Sequence, residues 1–339
     1  MDPVTHVLAS AVLARAAFDK VPRAVPVAIV AGLAVDADWL SIAAGPEAYL
    51  SNHRVLLHSA IGSAVVAALV AAAFWTLGRK HPSKSSPPLQ AFAIALGAAW
   101  LHVLMDLLNP HGVGLWWPFD ARRFAWDLTE MIDPWLVTIL LAGWLVPTLL
   151  RLVTEEIGAR VERKGPRRWA IATLALMTVY AGARWHYHGN AVALLDSRTY
   201  HGAVPHTVAA LPDSPSPFMW RGLAETENTF EHVEVPAGAG AFFDSDRSLT
   251  IFKPEASPAL EAAQKSETVQ RFVSAARFPL ATVEPLAQRD GMPTGGFRVT
   301  VRDLRFGERT MLVRPVVAMV EMDSAYRVLD ERFEFAEKD

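Results

Sequence analysis

Cysteine is absent from the 339 residues. That excludes disulfides, thiolate nucleophiles and cysteine-based zinc sites together, so any metal must be held by His, Asp or Glu. An excess of positive charge is also missing. The 32 Lys and Arg stand against 35 Asp and Glu, which gives no footing for a nucleic-acid partner. Glycine is sparse at 20 residues, and neither a Gly-rich phosphate loop nor a Gly-x-Ser-x-Gly nucleophile elbow occurs. Charged side chains make up only 20% of the chain, while apolar ones make up 52%. The mean hydropathy of +0.21 is high for a soluble enzyme and low for a pure membrane bundle. An average can hide two unlike halves, so the distribution decides.

The apolar residues gather before about residue 185. Stretches 25–40, 59–77, 89–105, 135–150 and 169–183 are nearly free of charge. Each approaches the roughly 20 residues that cross a hydrocarbon core. One such stretch fits a buried core helix; five in series, with short polar loops between, predict a membrane bundle. Residues 4–18 form a sixth, shorter stretch. Asp2 and Pro3 precede it as N-cap and first-turn proline. With no basic run before it and no clear cleavage site, it reads as a short or partly inserted helix, not as a signal peptide.

Loop charges predict orientation. Lys20 and Arg23 share one loop, Arg79, Lys80 and Lys84 another, and Arg151, Arg160, Arg163, Lys164, Arg167 and Arg168 a third. The alternate loops carry only Arg54, and then Arg122 and Arg123. Positive residues stay inside. The expectation is a multi-pass protein of the bacterial inner membrane whose chain after about residue 186 is extracytoplasmic. That second half is more polar. Residues 205–217 read as an extended linker. Stretches 230–235, 249–252, 296–301, 310–320 and 326–335 alternate like strands, and 257–276 reads as one amphipathic helix. The predicted fold is an α-helical integral membrane bundle of five to six hydrophobic helices over 1–185, followed by a small α+β extracytoplasmic domain over 186–339. The bilayer is the first expected partner.

The predicted outer ends of the bundle carry an unusual polar set. It comprises His6, Asp36, Asp38, His53, His58, His102, Asp106, and the acids Asp127, Glu130 and Asp133. Ionisable groups beside membrane segments are costly and therefore functional candidates. His102 and Asp106, at i and i+4, point to one helix face. They can share a metal, or the acid can orient the imidazole. Asp36 and Asp38 are about 200° apart on an ideal helix, so the helix should end near Asp36. His53 and His58, five residues apart, are expected on the loop and on the first turn of the next helix. Taken singly, each has an ordinary explanation: a packed histidine, a helix-end acid, an N-cap such as Asp133 before Pro134. The orientation rests on Lys and Arg alone, yet it places the whole His/Asp set on one side. That convergence predicts a divalent metal site with nitrogen and oxygen ligands, zinc first, with manganese or iron as alternatives. Trp116, Trp117, Pro118 and Phe119 lie in the same region and read as an interfacial aromatic belt or an apolar substrate wall. His186 and His188 read as interfacial.

These residues resemble the YdjM-like family of bacterial membrane-bound metal-dependent hydrolases. The resemblance rests on Thr5-His6, Asp36-Ala37-Asp38, His53-Arg54 with His58-Ser59, His102 with Asp106 and Asn109, and Trp117-Pro118-Phe119, over about residues 1–150. It extends more weakly to Pro215, Pro217, Phe218, Trp220 and Arg221. Val35 departs from the proline that often precedes the acidic step. The resemblance implies a divalent metal and hydrolysis, with no particular substrate. The reading is then a metal-dependent hydrolase acting on a lipid or lipid-linked ester or phosphoester at the outer face of the inner membrane. His6, Asp36, His53, His58, His102 and Asp106 are the candidate ligands. Asp38 or Asp127 would be the general base, Asp38 alternatively a ligand or its support, and Arg54 a phosphate clamp. The second domain would cover the site, recruit substrate or bind a protein partner. A proton-coupled transporter, or a non-catalytic scaffold with a structural metal, are the alternatives.

Overall fold

A computed structural model describes residues 1–79, 86–156, 165–238, 240–286, 295–306 and 314–336. Lys80, Lys84, Arg160, Arg163 and Lys164 of the basic loops lie outside the described residues, as do 83–85 of the expected polar turn and 310–313 of one expected strand.

Helices α1 (Pro3–Ala17), α2 (Ala24–Ala34), α3 (Pro46–Asn52), α4 (Ala60–Gly78), α5 (Pro88–Leu107), α6 (Pro134–Glu156) and α7 (Gly165–Asp196) come first, with a 3-10 helix over Val35–Ala44. Local chemistry sets the starts. Asp2 Oδ1 accepts from the Thr5 N–H at 3.0 Å, and Ser59 Oγ from the Gly62 N–H at 2.9 Å. Asp133 Oδ1 accepts from Trp135 and Leu136 N–H at 3.0 and 2.9 Å, the N-cap its sequence context predicts. Helices α1, α2, α4 and α5 pack through small residues, among them Ala14, Ala28, Ala31, Ala67, Ala95 and Ala98, so their backbones lie close. A Cβ on Gly32 would sit 2.3 Å from Ser10 Oγ, and one on Gly143 only 2.0 Å from Thr173 Oγ1. The opposite faces stay apolar and uncovered: Leu69 is 65% exposed and Leu77 73%.

Among the described residues, four stretches are long and apolar enough to cross a membrane: Ala24–Ala44, Ala60–Gly78, Pro88–Leu107 and Pro134–Val153. The sequence expectation of five to six is larger. α1 is shorter than these. The uncharged stretch of α7 is only 169–183, and the rest of that helix carries Arg167, Arg168, Arg184, His186 and His188.

Among the described residues, the C-terminal part holds two four-stranded antiparallel sheets. The first orders β1 (Thr207–Pro212), β2 (Met219–Glu225), β3 (Thr229–Pro236) and β4 (Leu249–Phe252); the second orders β5 (Pro279–Pro285), β6 (Phe297–Asp303), β7 (Val316–Met322) and β8 (Val328–Phe335). β1 occupies part of the stretch expected as a linker. Its Ala209, Ala210 and Leu211 are buried, and the segment has enough apolar surface to pay for pairing with β2 despite its prolines. The single helix expected over 257–276 is two, α8 (Pro258–Gln264) and α9 (Glu267–Ala275), because Ser266 caps a new start by accepting from the Val269 N–H. α8 and α9 bury Ala259, Ala263, Val269 and Phe272 against β6 and β7. The end of α7 packs on the first sheet, with Ala191 and Leu195 against Trp220, Ala224 and Val235.

Polar ties hold this domain to one end of the bundle. Arg271 Nη1 donates to Glu47 at 2.6 Å, Arg277 Nη1 to both Asp127 oxygens at 3.0 and 2.7 Å, and Arg305 Nη1 to the Pro110 carbonyl at 2.8 Å. Trp135 Nε1 donates to the Pro215 carbonyl at 2.9 Å.

Candidate metal centre

Three local devices bring the polar residues to that same end. The α2 backbone tightens into a 3-10 helix at Val35, where the sequence expects the α-helix to end, and so redirects Asp36 and Asp38. His53 caps the end of α3, and His58 sits just before Ser59, the N-cap of α4, two positions ahead of the first helical residue Ala60 and so outside the first turn expected for it. His102 and Asp106 lie on one face near the C-terminus of α5, with His102 Nε2 and Asp106 Oδ2 3.6 Å apart.

Asp36, His58, His102 and Asp106 offer four donor atoms that all lie within 4.8 Å of one another, and together they can hold a metal ion. Their spacings match a single centre. His58 Nε2 is 3.5 Å from Asp36 Oδ1, 3.2 Å from Asp106 Oδ2 and 3.2 Å from His102 Nε2. His102 Nε2 is 3.4 Å from Asp36 Oδ1. A tetrahedral ion with bonds near 2.0–2.1 Å has donor-to-donor edges of about 3.3 Å. Five of the six edges therefore fall close to that value. The burial argues the same way. Asp106 Oδ2 is buried and receives no hydrogen bond, and neither does His102 Nδ1. Such an unpartnered carboxylate oxygen is expensive unless a cation or proton reaches it. The α-ammonium of Met1 also lies against the other oxygen, Asp106 Oδ1.

Asp38 arranges the histidines. Its Oδ2 accepts from His58 Nδ1 at 2.8 Å and from the Arg54 N–H at 3.0 Å, and its Oδ1 from His53 Nδ1 at 3.1 Å. A carboxylate only accepts, so His58 carries its proton on Nδ1 and turns Nε2 to the cluster, the arrangement expected of a supported metal ligand.

The remaining sequence candidates take distinct places. His6 stacks on His102, with ring centroids 3.6 Å apart, and its Nε2 is 3.3 Å from Asp106 Oδ1. It borders the four. His53 is held by Asp38 and stacks on Tyr49, outside the four. Burial lowers its pKa. Arg54, 3% exposed, donates to Asn109 Oδ1 at 2.7 Å and to Asp106 Oδ1 at 3.4 Å. Asp127 is taken up by Arg277 of the C-terminal domain. Trp116 and Phe119 are exposed, at 52% and 83%, while His188 packs on Trp220. Two residues beside the site carried no signal in sequence: Arg123, which donates to the Leu50 carbonyl, and Arg305, which arrives from the loop after β6.

No curated protein and no solved structure matches the chain. A family model described as YdjM inner membrane protein matches residues 1–191, which include α1 to α6, most of α7 and every member of the cluster. The chain belongs to the YdjM inner membrane protein family.

Proposed function

We propose that the protein is a metal-dependent hydrolase of the inner membrane that acts on a lipid or lipid-linked ester, most simply a phosphoester. The observation that carries this reading is the closure of Asp36, His58, His102 and Asp106 to tetrahedral donor spacing, with Arg54 bonded to a member of that set. Zinc suits two imidazoles and two carboxylates at this spacing. When bound, the ion supplies Lewis acidity toward a phosphoryl or acyl oxygen and makes water acidic enough to attack near neutral pH.

The protein's own groups would do the rest. His58, held by Asp38, keeps Nε2 on the centre. Asp36, whose side chain is 22% exposed, is the ligand that faces an opening. Arg54 would hold a phosphoryl oxygen through its planar fork. With three donors already on it, Asp38 serves best as the group that positions His58 and His53. We place this end of the bundle and the C-terminal domain on the extracytoplasmic side. Arg15, Lys20, Arg23 and Arg79 lie toward the other end, as positive residues do on the cytoplasmic side.

A structural metal is the second reading, favoured by the count of four protein donors, which can fill a tetrahedron without water. A transporter needs ionisable groups through the membrane depth, whereas the buried acid and imidazole groups of the described bundle meet at one end. Metal analysis of the purified chain beside His102→Ala and Asp106→Ala, joined to a metal-dependent turnover screen on lipid extracts, separates these. The expected result is about one divalent ion per chain in the wild type, lost in both variants. Wild-type protein free of metal at neutral pH, extracted without chelator, overturns both metal readings. Metal present without turnover on any lipid phosphoester favours the structural one.

A further inference from the structure

A narrow cleft, with a cavity volume of about 90 Å³, runs between the cluster end of the bundle and the C-terminal domain. Four arginines line it, Arg54, Arg123, Arg305 and Arg314, against one aspartate, Asp303. The aspartate is spoken for: Arg305 Nε donates to it at 2.9 Å. Arg54 shares Asp106 and Asn109, yet its buried Nε has no partner. Arg123 donates only to a backbone carbonyl, and no carboxylate among the described residues pairs with it. Burial, with Arg305 and Arg54 next in weight, pushes its pKa down to about 10, so it stays charged. Both ring nitrogens of His111 are buried without a partner, and burial beside Arg54 holds that ring neutral. Guanidiniums gathered this way repel one another and are costly without an anion. Apolar residues share the lining: Leu50 of α3, Phe272 and Ala275 of α9, and Val316 of β7.

We infer that this cleft binds the phosphate group of an amphiphile, with Arg123 and Arg54 on the phosphate and the apolar residues Phe272, Ala275 and Val316 of the C-terminal domain on the adjoining chain. The C-terminal domain then completes the site, through Arg305, Arg314, Phe272 and Val316, and does not merely cover it. As a substrate site the cleft rests on the hydrolase reading above; as an anion site it rests on these residues alone. Arg54 joins the two, because the same guanidinium reaches Asp106 of the candidate metal set and lines the cleft.

Titration calorimetry on the full chain in nanodiscs tests this with three probes: inorganic phosphate, hexyl phosphate and hexanol. Hexyl phosphate is expected to bind at least tenfold more tightly than phosphate, a modest share of what a buried six-carbon chain supplies, and hexanol not to bind. Arg123→Gln is expected to weaken both anions about tenfold, in the range of one lost charge-assisted bond. Arg123→Lys is expected to recover part of the phosphate affinity. The same loss is expected in a His102→Ala background, so a failed hydrolase reading leaves the anion site standing. Unchanged hexyl phosphate affinity in Arg123→Gln and in the Arg123→Gln, Arg314→Gln pair overturns the anion site. Arg314 is exposed, so that second change spares the fold. Equal affinity for phosphate and hexyl phosphate overturns the amphiphile and leaves a site for free phosphate.

Discussion

Asp38 offers the sharpest test of how the cluster is built, because two substitutions there should differ for a stated reason. Its Oδ2 takes two donors, His58 Nδ1 and the Arg54 N–H, and its Oδ1 takes one, His53 Nδ1. In Asp38→Asn the amide oxygen can stand where Oδ2 stands and keep both donors. The new NH2 then faces His53 Nδ1. That ring keeps a side-chain exposure of 15% and can move its proton to Nε2 and accept. The variant loses a charge and keeps its hydrogen bonds. In Asp38→Leu the acceptor disappears, and His58 Nδ1 and the Arg54 N–H are both stranded in a buried place.

Loss of a group that orients a metal-bound histidine typically costs 10–100-fold in affinity, about 1.4–2.7 kcal/mol. An orphaned buried donor adds about 1–3 kcal/mol in its own right. The expected order is therefore about tenfold weaker zinc binding in Asp38→Asn and at least about a hundredfold in Asp38→Leu. Competition against a chromophoric chelator on detergent-purified protein measures both. Thermal unfolding of the chelated forms checks that each variant folds, with Asp38→Ser as the smaller replacement if the leucine does not. Equal losses in Asn and Leu would refute the hydrogen-bond reasoning. No loss in either would show that His58 needs no orientation from Asp38, or does not bind metal.

Two further expectations concern the bundle and its loops. Burial, ahead of any neighbouring charge, raises the pKa of Glu130, so folding disfavours its ionised form. A raised folded-state pKa means the contribution is fully present below the ordinary carboxylate range and is lost as pH rises through the shifted value. Glu130→Gln should therefore unfold at a higher temperature than wild type at pH 8, the gap closing toward pH 4; a gap independent of pH refutes this. Gly143→Ala should destabilise by about 1–3 kcal/mol, the range for overpacking, because its Cβ meets Thr173 Oγ1, Cγ2 and Cβ at 2.0, 2.6 and 2.8 Å. Gly97→Ala, whose Cβ would meet only Leu13 Cδ2 at 3.6 Å, is the control and should be neutral or slightly stabilising in detergent unfolding. Equal behaviour of the two variants would mean α6 and α7 are not in the contact described.

The sequence was most informative where a local rule carried the chemistry. His102 and Asp106 share a helix face because i and i+4 must, and Asp36 and Asp38, about 200° apart on an ideal helix, could converge on one ring only if the helix changed pitch, which it does at Val35, so that both reach His58. Where several chain segments meet, spacing had no access. Nothing in the numbering separates His58 from His53, and it takes the fold to send one ring into the cluster and leave the other on Tyr49 and Asp38. The strands β1, β2 and β5 escaped for a related reason: none alternates cleanly, since β1 buries four residues in a row and β2 three.

The arginines extend that point to function. Arg305 is 199 residues from Asp106 in sequence, and only the docking of the C-terminal domain brings it to the Pro110 carbonyl, beside Arg54 and Arg123. The match to the family model ends at residue 191, so the metal set lies inside the shared part and Arg305 and Arg314 outside it. A donor set within the shared helices suits chemistry the family holds in common. A cleft half-built from residues beyond them suits a choice of substrate particular to chains that carry such a domain. On that division, exchanging or altering the C-terminal domain should change which phosphate amphiphile is taken, while the metal content of the bundle stays the same.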